Sequence, residues 1–272
     1  FRDHLAVFFS LMSLFIIIGL YALFLGDVVV DDVKDIAGSN ARFLMDSWIM
    51  AGLLSVTSVT ATLGSFGIMI DDKVKKISKD FSASPISRWQ IISGYTMSSW
   101  IVGVLISIIA LIISEVYIVA CGGKLLGIEQ IFKVLFIICL SVFSSTAVIL
   151  FLVSFFKSGN AFAAASTVIG TLIGFLAGIY IPTGALPSGV QTVIKAFPPS
   201  HAAALFRQVM MEQPFSLITA PAEAIEEMKL IFGVLYKFKD KIISFSTSAL
   251  ILVATGIIFF ILSVIKISFT PR

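Results

Sequence analysis

The feature that most constrains this chain is a short charged stretch between two long apolar runs. Residues 70–90 hold eight of the 35 charged residues (19 Lys or Arg and 16 Asp or Glu), and each flanking run exceeds 18 residues with almost no charge. A run of that length is long enough to cross a bilayer as a helix. Because short loops rich in Lys and Arg stay in the cytoplasm, the stretch is predicted to be a cytoplasmic loop that orients the chain.

The composition supports this prediction for the chain as a whole. Hydrophobic residues make up 58% of it, the mean hydropathy is +1.06, and only 13% is charged, about half the roughly 25% usual for soluble domains. The sequence predicts an all-α polytopic membrane protein whose single transmembrane domain covers residues 1–272. Its six transmembrane helices are predicted at residues 5–26, 47–70, 90–120, 131–156, 161–181 and 242–265.

The distribution of positive charge predicts the orientation of these helices. Six spans put both termini on one side, and placing that side in the cytoplasm leaves nine Lys and Arg residues inside against four in the short outer loops. We therefore expect a plasma-membrane protein with both termini in the cytoplasm. The long outer segment is exempt from the rule, but Lys237, Lys239 and Lys241 lie right at the sixth span and run against this arrangement.

That long outer segment, residues 182–241, holds six of the eight prolines. Its apolar stretches 190–197 and 202–211 are each too short to span, so we predict a re-entrant helical hairpin broken at Pro198 and Pro199, with Ser200 capping the second helix. A separate helix is predicted from Pro221 to Lys241. Phe197 precedes the break, and Phe197, Pro198 and Pro199 are the candidate outer gate.

The charged loop also has the pattern of a surface that binds a partner. Val74, Ile77 and Phe81 recur at helical spacing with lysines on the other faces, and Ser87 is predicted to cap the next helix. The alternative is a solvated loop resting on lipid headgroups. The residues of the candidate docking surface are Lys73, Val74, Lys76, Ile77, Phe81, Pro85 and Arg88.

Two stretches carry a resemblance to a known family. FSASPISRWQIISGY (81–95) resembles the loop that enters the third span of type-2 export permeases of ATP-binding-cassette (ABC) transporters. GIYIPTGALPSGVQTVIKAFPPSHAAALFRQVM (178–210) resembles their segment after the fifth span. The resemblance implies half of a membrane dimer, formed with a second copy or a related permease, in contact with membrane lipids. It also implies an ABC-type ATPase partner, bound through a coupling helix around residues 73–81, and export of a drug, an antibiotic, a lipid or a lipid-linked glycan.

Several kinds of chemistry have no motif in this sequence. There is no P-loop, no H-E-x-x-H and no G-x-S-x-G, so ATP and Mg²⁺ are expected on the partner ATPase. We expect no cofactor, no metal, no nucleic-acid partner and no enzymatic activity in this chain alone. His4 and His201 are predicted at opposite faces. A self-standing channel or secondary carrier is the alternative, and a membrane enzyme or scaffold is another.

Two groups of polar residues in the spans have open interpretations. Ser55, Ser58 and Thr62 of the second span either line a cargo path or hydrogen-bond neighbouring helices. Glu115, late in the third span, either handles cargo or protons or has a structural role.

The fifth span carries a stripe of small residues, each four positions from the next. The stripe consists of Ser166, Gly170, Gly174 and Gly178, a spacing that lets two helices approach closely. It either packs within one chain or forms the seam of a dimer.

Overall fold

The structure, a computed structural model, describes residues 12, 14–75, 77, 86–238 and 241–268 of the chain. Nearly all of these are helical. The helices are α1 (Leu14–Phe24, ending in a π turn over Tyr21–Leu25), α2 (Gly26–Asp31), α3 (Lys34–Ala37), α4 (Ala41–Val74), α5 (Arg88–Ala120), α6 (Ile128–Val153), α7 (Gly159–Leu176), α8 (Ser188–Ala196), α9 (Pro198–Met210), α10 (Glu212–Ser216), α11 (Ala222–Ile231) and α12 (Phe245–Ser268). Two short strands, Lys237–Phe238 and Lys241–Ile242, pair antiparallel before α12.

Five helices of the described residues are long and apolar enough to cross a membrane: α4, α5, α6, α7 and α12. They correspond to predicted spans two to six and confirm a polytopic membrane protein. Residues 5–11 and 13 of the first predicted span lie outside the described residues. Its described apolar helix, α1, is shorter than a span, so the count of six stays a prediction. The second span is longer than predicted, since α4 begins at Ala41 and continues to Val74.

The connections lie at two faces of the bundle. Lys73 Nζ donates to the carbonyl of Phe156 at 2.8 Å, so the ends of α4 and α6 meet at one face, here called the loop face. At the other, the hairpin face, Asn40 Nδ2 donates to the carbonyl of Leu217 at 3.1 Å. These contacts agree with the alternation of spans on which the predicted topology depends.

Helix α4 lies at the centre of the fold and packs against α5, α6, α7 and α9. About two-thirds of the residues in its most apolar 18-residue stretch are buried, whereas the corresponding share for α7 is 11%. Small side chains allow this crowding. At Gly103 of α5, an added Cβ would lie 2.7 Å from Val142 of α6 and 3.0 Å from Thr62 of α4, so three helices meet where that glycine has no side chain.

Two predicted helix ends were wrong, and glycine caps explain both. Gly178 and Gly233 have φ of +66° and +65°. The backbone N–H of each glycine and that of the next residue donate to carbonyls in the last turns of the preceding helix, which is the geometry of a Schellman cap. The fifth span therefore ends at Leu176 instead of Ile181. The helix predicted from Pro221 to Lys241 ends at Ile231, and the strand pair replaces its second half.

The segment predicted to form the hairpin contains two helices, α8 and α9, separated at Phe197, whose backbone is extended (φ −92°, ψ 120°). That this pair re-enters the membrane stays a prediction, and the pair is called the hairpin below. The predicted cap at Ser200 was wrong. Helix α9 begins at Pro198, and the Ser200 hydroxyl donates to the carbonyls of Ile194 and Phe197. The hydroxyl therefore links α9 to the end of α8 and does not accept a hydrogen bond from a backbone N–H, as a cap would. By contrast, the Ser87 cap is confirmed, with a reciprocal capping box through Gln90.

Candidate functional site

The candidate site is the place where the hairpin meets the spans, and its centre is a buried arginine. Arg207 on α9 has no exposed surface. Its Nη2 donates to the carbonyls of Ala177 and Gly178 at 3.0 and 2.9 Å, just after α7. Its guanidinium carbon lies 5.0 Å from the centre of the Trp48 ring on α4. One side chain therefore connects the hairpin to the second and fifth spans.

Three glycines provide the space for this guanidinium. A Cβ added at Gly52 would lie 3.0 Å from Arg207 Nη2, and one at Gly178 or Gly233 would lie 3.5 or 3.2 Å from Nη1. Because Gly178 and Gly233 also need positive φ for their helix caps, each has two reasons to lack a side chain. The caps that end α7 and α11 thus also form the walls around Arg207.

The charge on Arg207 is only partly compensated. An arginine guanidinium stays protonated at neutral pH even when it is buried. Its Nε and Nη1 have no hydrogen-bond partner among the described residues, and none of the ion pairs there includes it. Two carbonyl dipoles and one aromatic face therefore hold the cation, an arrangement that depends on accurate packing around it.

The hairpin break lies well inside the bundle. Ser55 Oγ donates to the carbonyl of Pro199 at 2.7 Å, and Ser55 is 14 residues after Ala41, about 21 Å along α4. Phe197 is half-buried and packs against the core. It lines an apolar cavity of about 210 Å³ with residues of α4, α6 and α7. The three candidate gate residues, Phe197, Pro198 and Pro199, are thus brought together beside the spans.

The candidate cargo-path hydroxyls point to backbone atoms. Ser55, Ser58 and Thr62 are fully buried. Ser58 donates to the carbonyl of Leu54, and Thr62 donates to those of Ser58 and Val59, all within α4. Only Ser55 reaches another element. These contacts favour the hydrogen-bonding alternative for Ser55, whereas the cargo path stays a prediction.

Glu115 lies at the hairpin face and is also buried. It accepts a hydrogen bond from the Leu126 backbone N–H at 2.9 Å. Leu126 belongs to the connection that leads from α5 to α6, so the carboxylate fixes that connection to the end of α5. This contact favours the structural alternative over a role in cargo or proton handling.

The candidate docking residues at the loop face are described only in part. Lys73 and Val74 form the last turn of α4, and the side chains of Val74 and Ile77 are exposed. Lys76, Phe81 and Pro85 lie outside the described residues. Arg88 begins α5. The docking helix therefore stays a prediction, but α4 carries its first residues directly on a transmembrane helix.

The small-residue stripe is divided in the structure. Gly174 is covered by the ring of Tyr180, and Gly178 lies beyond the end of α7 against Thr183 and Arg207. A Cβ added at Gly170 would meet nothing within 4 Å, and Ser166 is only half-buried. Gly174 and Gly178 therefore pack within the chain, whereas Gly170 faces open space.

A charged cluster at the start of α4 was not predicted from the sequence. Arg42 donates through Nη1 to Asp27 at 2.9 Å, and its Nε lies 3.2 Å from the buried carboxylate of Asp46. Its Nη2 is 3.4 Å from the Tyr117 hydroxyl. The i, i+4 spacing of Arg42 and Asp46 could have indicated the pair. The cluster anchors the connection before α4 to α4 and α5.

No group of three or more His, Cys, Asp or Glu residues in the described part of the chain could hold a metal ion. Comparison with protein families finds one described as ABC-2 family transporter protein, whose model matches residues 27–265. The match includes every span from α4 to α7, the hairpin, and α12 up to its last turn. No curated protein matches the chain.

Proposed function

This chain belongs to the ABC-2 family of transporter proteins and is the permease component of an ABC transporter; we propose that it exports an amphipathic or hydrophobic cargo as one half of a membrane dimer. The cargo classes implied by the sequence are drugs, antibiotics, lipids and lipid-linked glycans. ATP and Mg²⁺ act on a separate ATPase subunit, whose hydrolysis reaction supplies the energy. The permease contributes the path for the cargo and the contacts that move the cargo along it.

The proposed orientation puts the loop face in the cytoplasm and the hairpin face outside. Residues 70–90 hold five Lys and Arg, and charges of this kind in short loops remain inside. The ATPase then docks where Val74 and Ile77 are exposed. In the same orientation the hairpin α8–α9 enters the bundle from outside without crossing it, since its break lies about 21 Å along α4.

The observation that carries the proposal is the continuity of α4. This single helix of 34 residues is about 51 Å long. It carries Lys73 and Val74 at the loop face, Ser55 against the hairpin break, and Trp48 against Arg207. A displacement of its loop-face end by the ATPase would therefore reach both hairpin contacts through one rigid element. Phe197, next to the break, would then narrow the exit at rest and move aside when α4 moves.

The first test is purification of the native complex in mild detergent. A co-purifying ATPase, together with ATP-dependent cargo transport in vesicles, is the expected result. Flux without ATP would indicate a channel or secondary carrier instead. An intact permease that binds no ATPase and moves nothing would indicate a scaffold or an enzyme.

The second test compares two substitutions in the docking segment. Phe81→Ala should weaken ATPase association more than Lys76→Ala, because an apolar anchor in a pocket contributes more binding energy than a charge at the rim. Association is measured by pull-down of the ATPase on equal amounts of each inserted variant. Equal pull-down by Phe81→Ala and the unaltered chain would rule out this docking mode.

A further inference from the structure

A cavity of about 460 Å³ opens at the hairpin face, apart from the exit that Phe197 would narrow. Its walls come from the connection between α1 and α4, from the start of α4, from the chain after α7, and from α11. Cavities that bind small molecules in proteins have volumes of about 300–1,000 Å³ and mostly apolar walls with a few polar groups. This cavity has both properties.

The floor of the cavity is apolar and fixed. Trp48, Met228 and Phe232 line it and are all buried. The Trp48 indole N–H donates to the carbonyl of Phe232 at 2.8 Å, and the two rings meet edge to face with centres 5.5 Å apart. Because α4 and α11 are joined through this pair, the floor is formed before any ligand arrives.

The charged groups at the cavity all have one sign. Asp32 and Glu227 are the only charged residues among its described lining residues, and both are exposed. Neither forms an ion pair with a described residue, unlike the nearby Asp31, which pairs with Lys34. The mouth thus presents two carboxylates above an apolar floor.

A second charge lies behind the floor and has the opposite sign. The Arg207 guanidinium is 5.0 Å from the Trp48 ring and does not line the cavity. In this low-dielectric position it repels a cation that moves toward the floor, while the carboxylates attract the same cation at the mouth. The arrangement therefore selects molecules with an apolar body and a positive charge at one end, and it orients them with that charge outward.

We propose that this cavity is a binding site for a cationic amphiphile, with the apolar body on Trp48 and Phe232 and the positive group between Asp32 and Glu227. The inference goes beyond the proposed function, because the site is formed by the permease alone. It requires neither ATP nor an ATPase, so its test is independent of whether the chain exports anything.

The test measures equilibrium binding of radiolabelled phenylbutyltrimethylammonium, whose positive charge lies at one end of an apolar body, to the permease in phosphatidylcholine nanodiscs, with empty nanodiscs as the background. We expect saturable binding that Glu227→Gln and Asp32→Asn each weaken about three- to fivefold, as for a partly exposed charge pair. Glu223→Gln is the matched control, since Glu223 is exposed on the same helix but does not line the cavity. Absence of saturable binding, or equal loss with Glu223→Gln, would overturn the proposal.

A second pair of variants tests the position of the ligand. Ala224 lines the cavity, whereas Ala222, two residues earlier on α11, does not. Ala224→Phe should narrow the cavity and weaken phenylbutyltrimethylammonium binding, and Ala222→Phe should leave it unchanged. Phenylbutylsulfonate, which has the same apolar body and the opposite charge, should show no saturable binding. Unchanged binding of phenylbutyltrimethylammonium by Ala224→Phe would place the site elsewhere and contradict the inference.

Discussion

Helices α4 and α7 are both rich in small and hydroxyl side chains, yet the fold uses them in opposite ways. In the most apolar 18-residue stretch of each helix, about two-thirds of the residues of α4 are buried, whereas the share for α7 is 11%. The glycine Gly52 of α4 faces Ile179 and Arg207, whereas Gly170 of α7 faces open space. A small-residue pattern therefore shows that another element can approach a helix closely. It does not show whether that element belongs to the same chain or to a partner.

The difference also separates two uses of hydroxyl groups. On α4, Ser58 and Thr62 satisfy their hydroxyls on the preceding turn and leave the outside of the helix apolar, which suits close packing in a medium without water. Thr167 and Thr171 of α7 bond in the same way but are exposed. The surface of the central helix α4 is thus covered by other helices of the chain, while α7 keeps a surface that a second membrane protein could cover.

The largest effect should come from filling the α4 contact. In Gly52→Leu the new side chain would meet Ile179 at 2.8 Å and Arg207 at 3.0 Å already from its Cβ. We expect a loss of about 3 kcal/mol in the free energy of unfolding, as for severe overpacking, measured by SDS titration of the purified protein. A variant as stable as the unaltered chain would show that the Arg207 contact is not rigid.

A smaller loss is expected for Phe197→Ala, because its ring lies between α4, α6 and α7 and is only half-buried. Truncation should cost about 2 kcal/mol, roughly half the value for a fully buried Phe. The gate proposal further requires increased leak or altered cargo-stimulated ATP turnover per folded molecule. Lost stability with unchanged transport would reduce Phe197 to a packing residue.

Two serines of α4 allow a matched pair of substitutions with a still smaller expected loss in the free energy of unfolding. Ser55→Ala removes the bond to the Pro199 carbonyl and should cost about 1 kcal/mol. Ser58→Ala removes only a bond within α4 and should cost less. Unfolding of the two variants under the same conditions measures the difference, and equal losses would mean that the hairpin does not depend on Ser55.

The smallest effect on folding should come from α7. Gly170→Leu adds a side chain where nothing lies within 4 Å, so the unfolding free energy should change by no more than about 0.5 kcal/mol. If Ser166 and Gly170 form the seam of the proposed dimer, the variant should nevertheless run as a monomer on native gels. Intact dimers would exclude this face as the seam. Gly174→Leu is a poorer test, because Gly174 is already covered by Tyr180.

Much of the fold could be predicted because the membrane imposes a strong rule on sequence. Apolar runs marked spans two to six, and the proline pair marked the hairpin break. Local chemistry at Ser87 was also readable, since the cap and Gln90 lie three residues apart. The ends at Leu176 and Ile231 were missed, because a glycine shows where a helix can stop but not that its neighbours are arranged to stop it there.

The centre of the site was not predictable for a different reason. Arg207 stands alone in an apolar segment, and its partner carbonyls at Ala177 and Gly178 lie 30 and 29 residues earlier in the chain. Backbone carbonyls are present at every position, so no side-chain pattern marks the ones that are used. The cavity near Trp48 was missed likewise, because four separate segments supply its walls.

From the contacts of the buried arginine we also expect an order of assembly during biosynthesis. A guanidinium facing lipid without its partners is costly, and the partners exist only once the end of α7 has met Trp48 of α4. We therefore expect the hairpin to settle only after those two spans are in contact. Because α12 packs on α9 as well as on α6, the last span lacks part of its packing surface until that step. A chain in which α4 and α7 fail to meet keeps a charge exposed, which distinguishes it from a correctly assembled one.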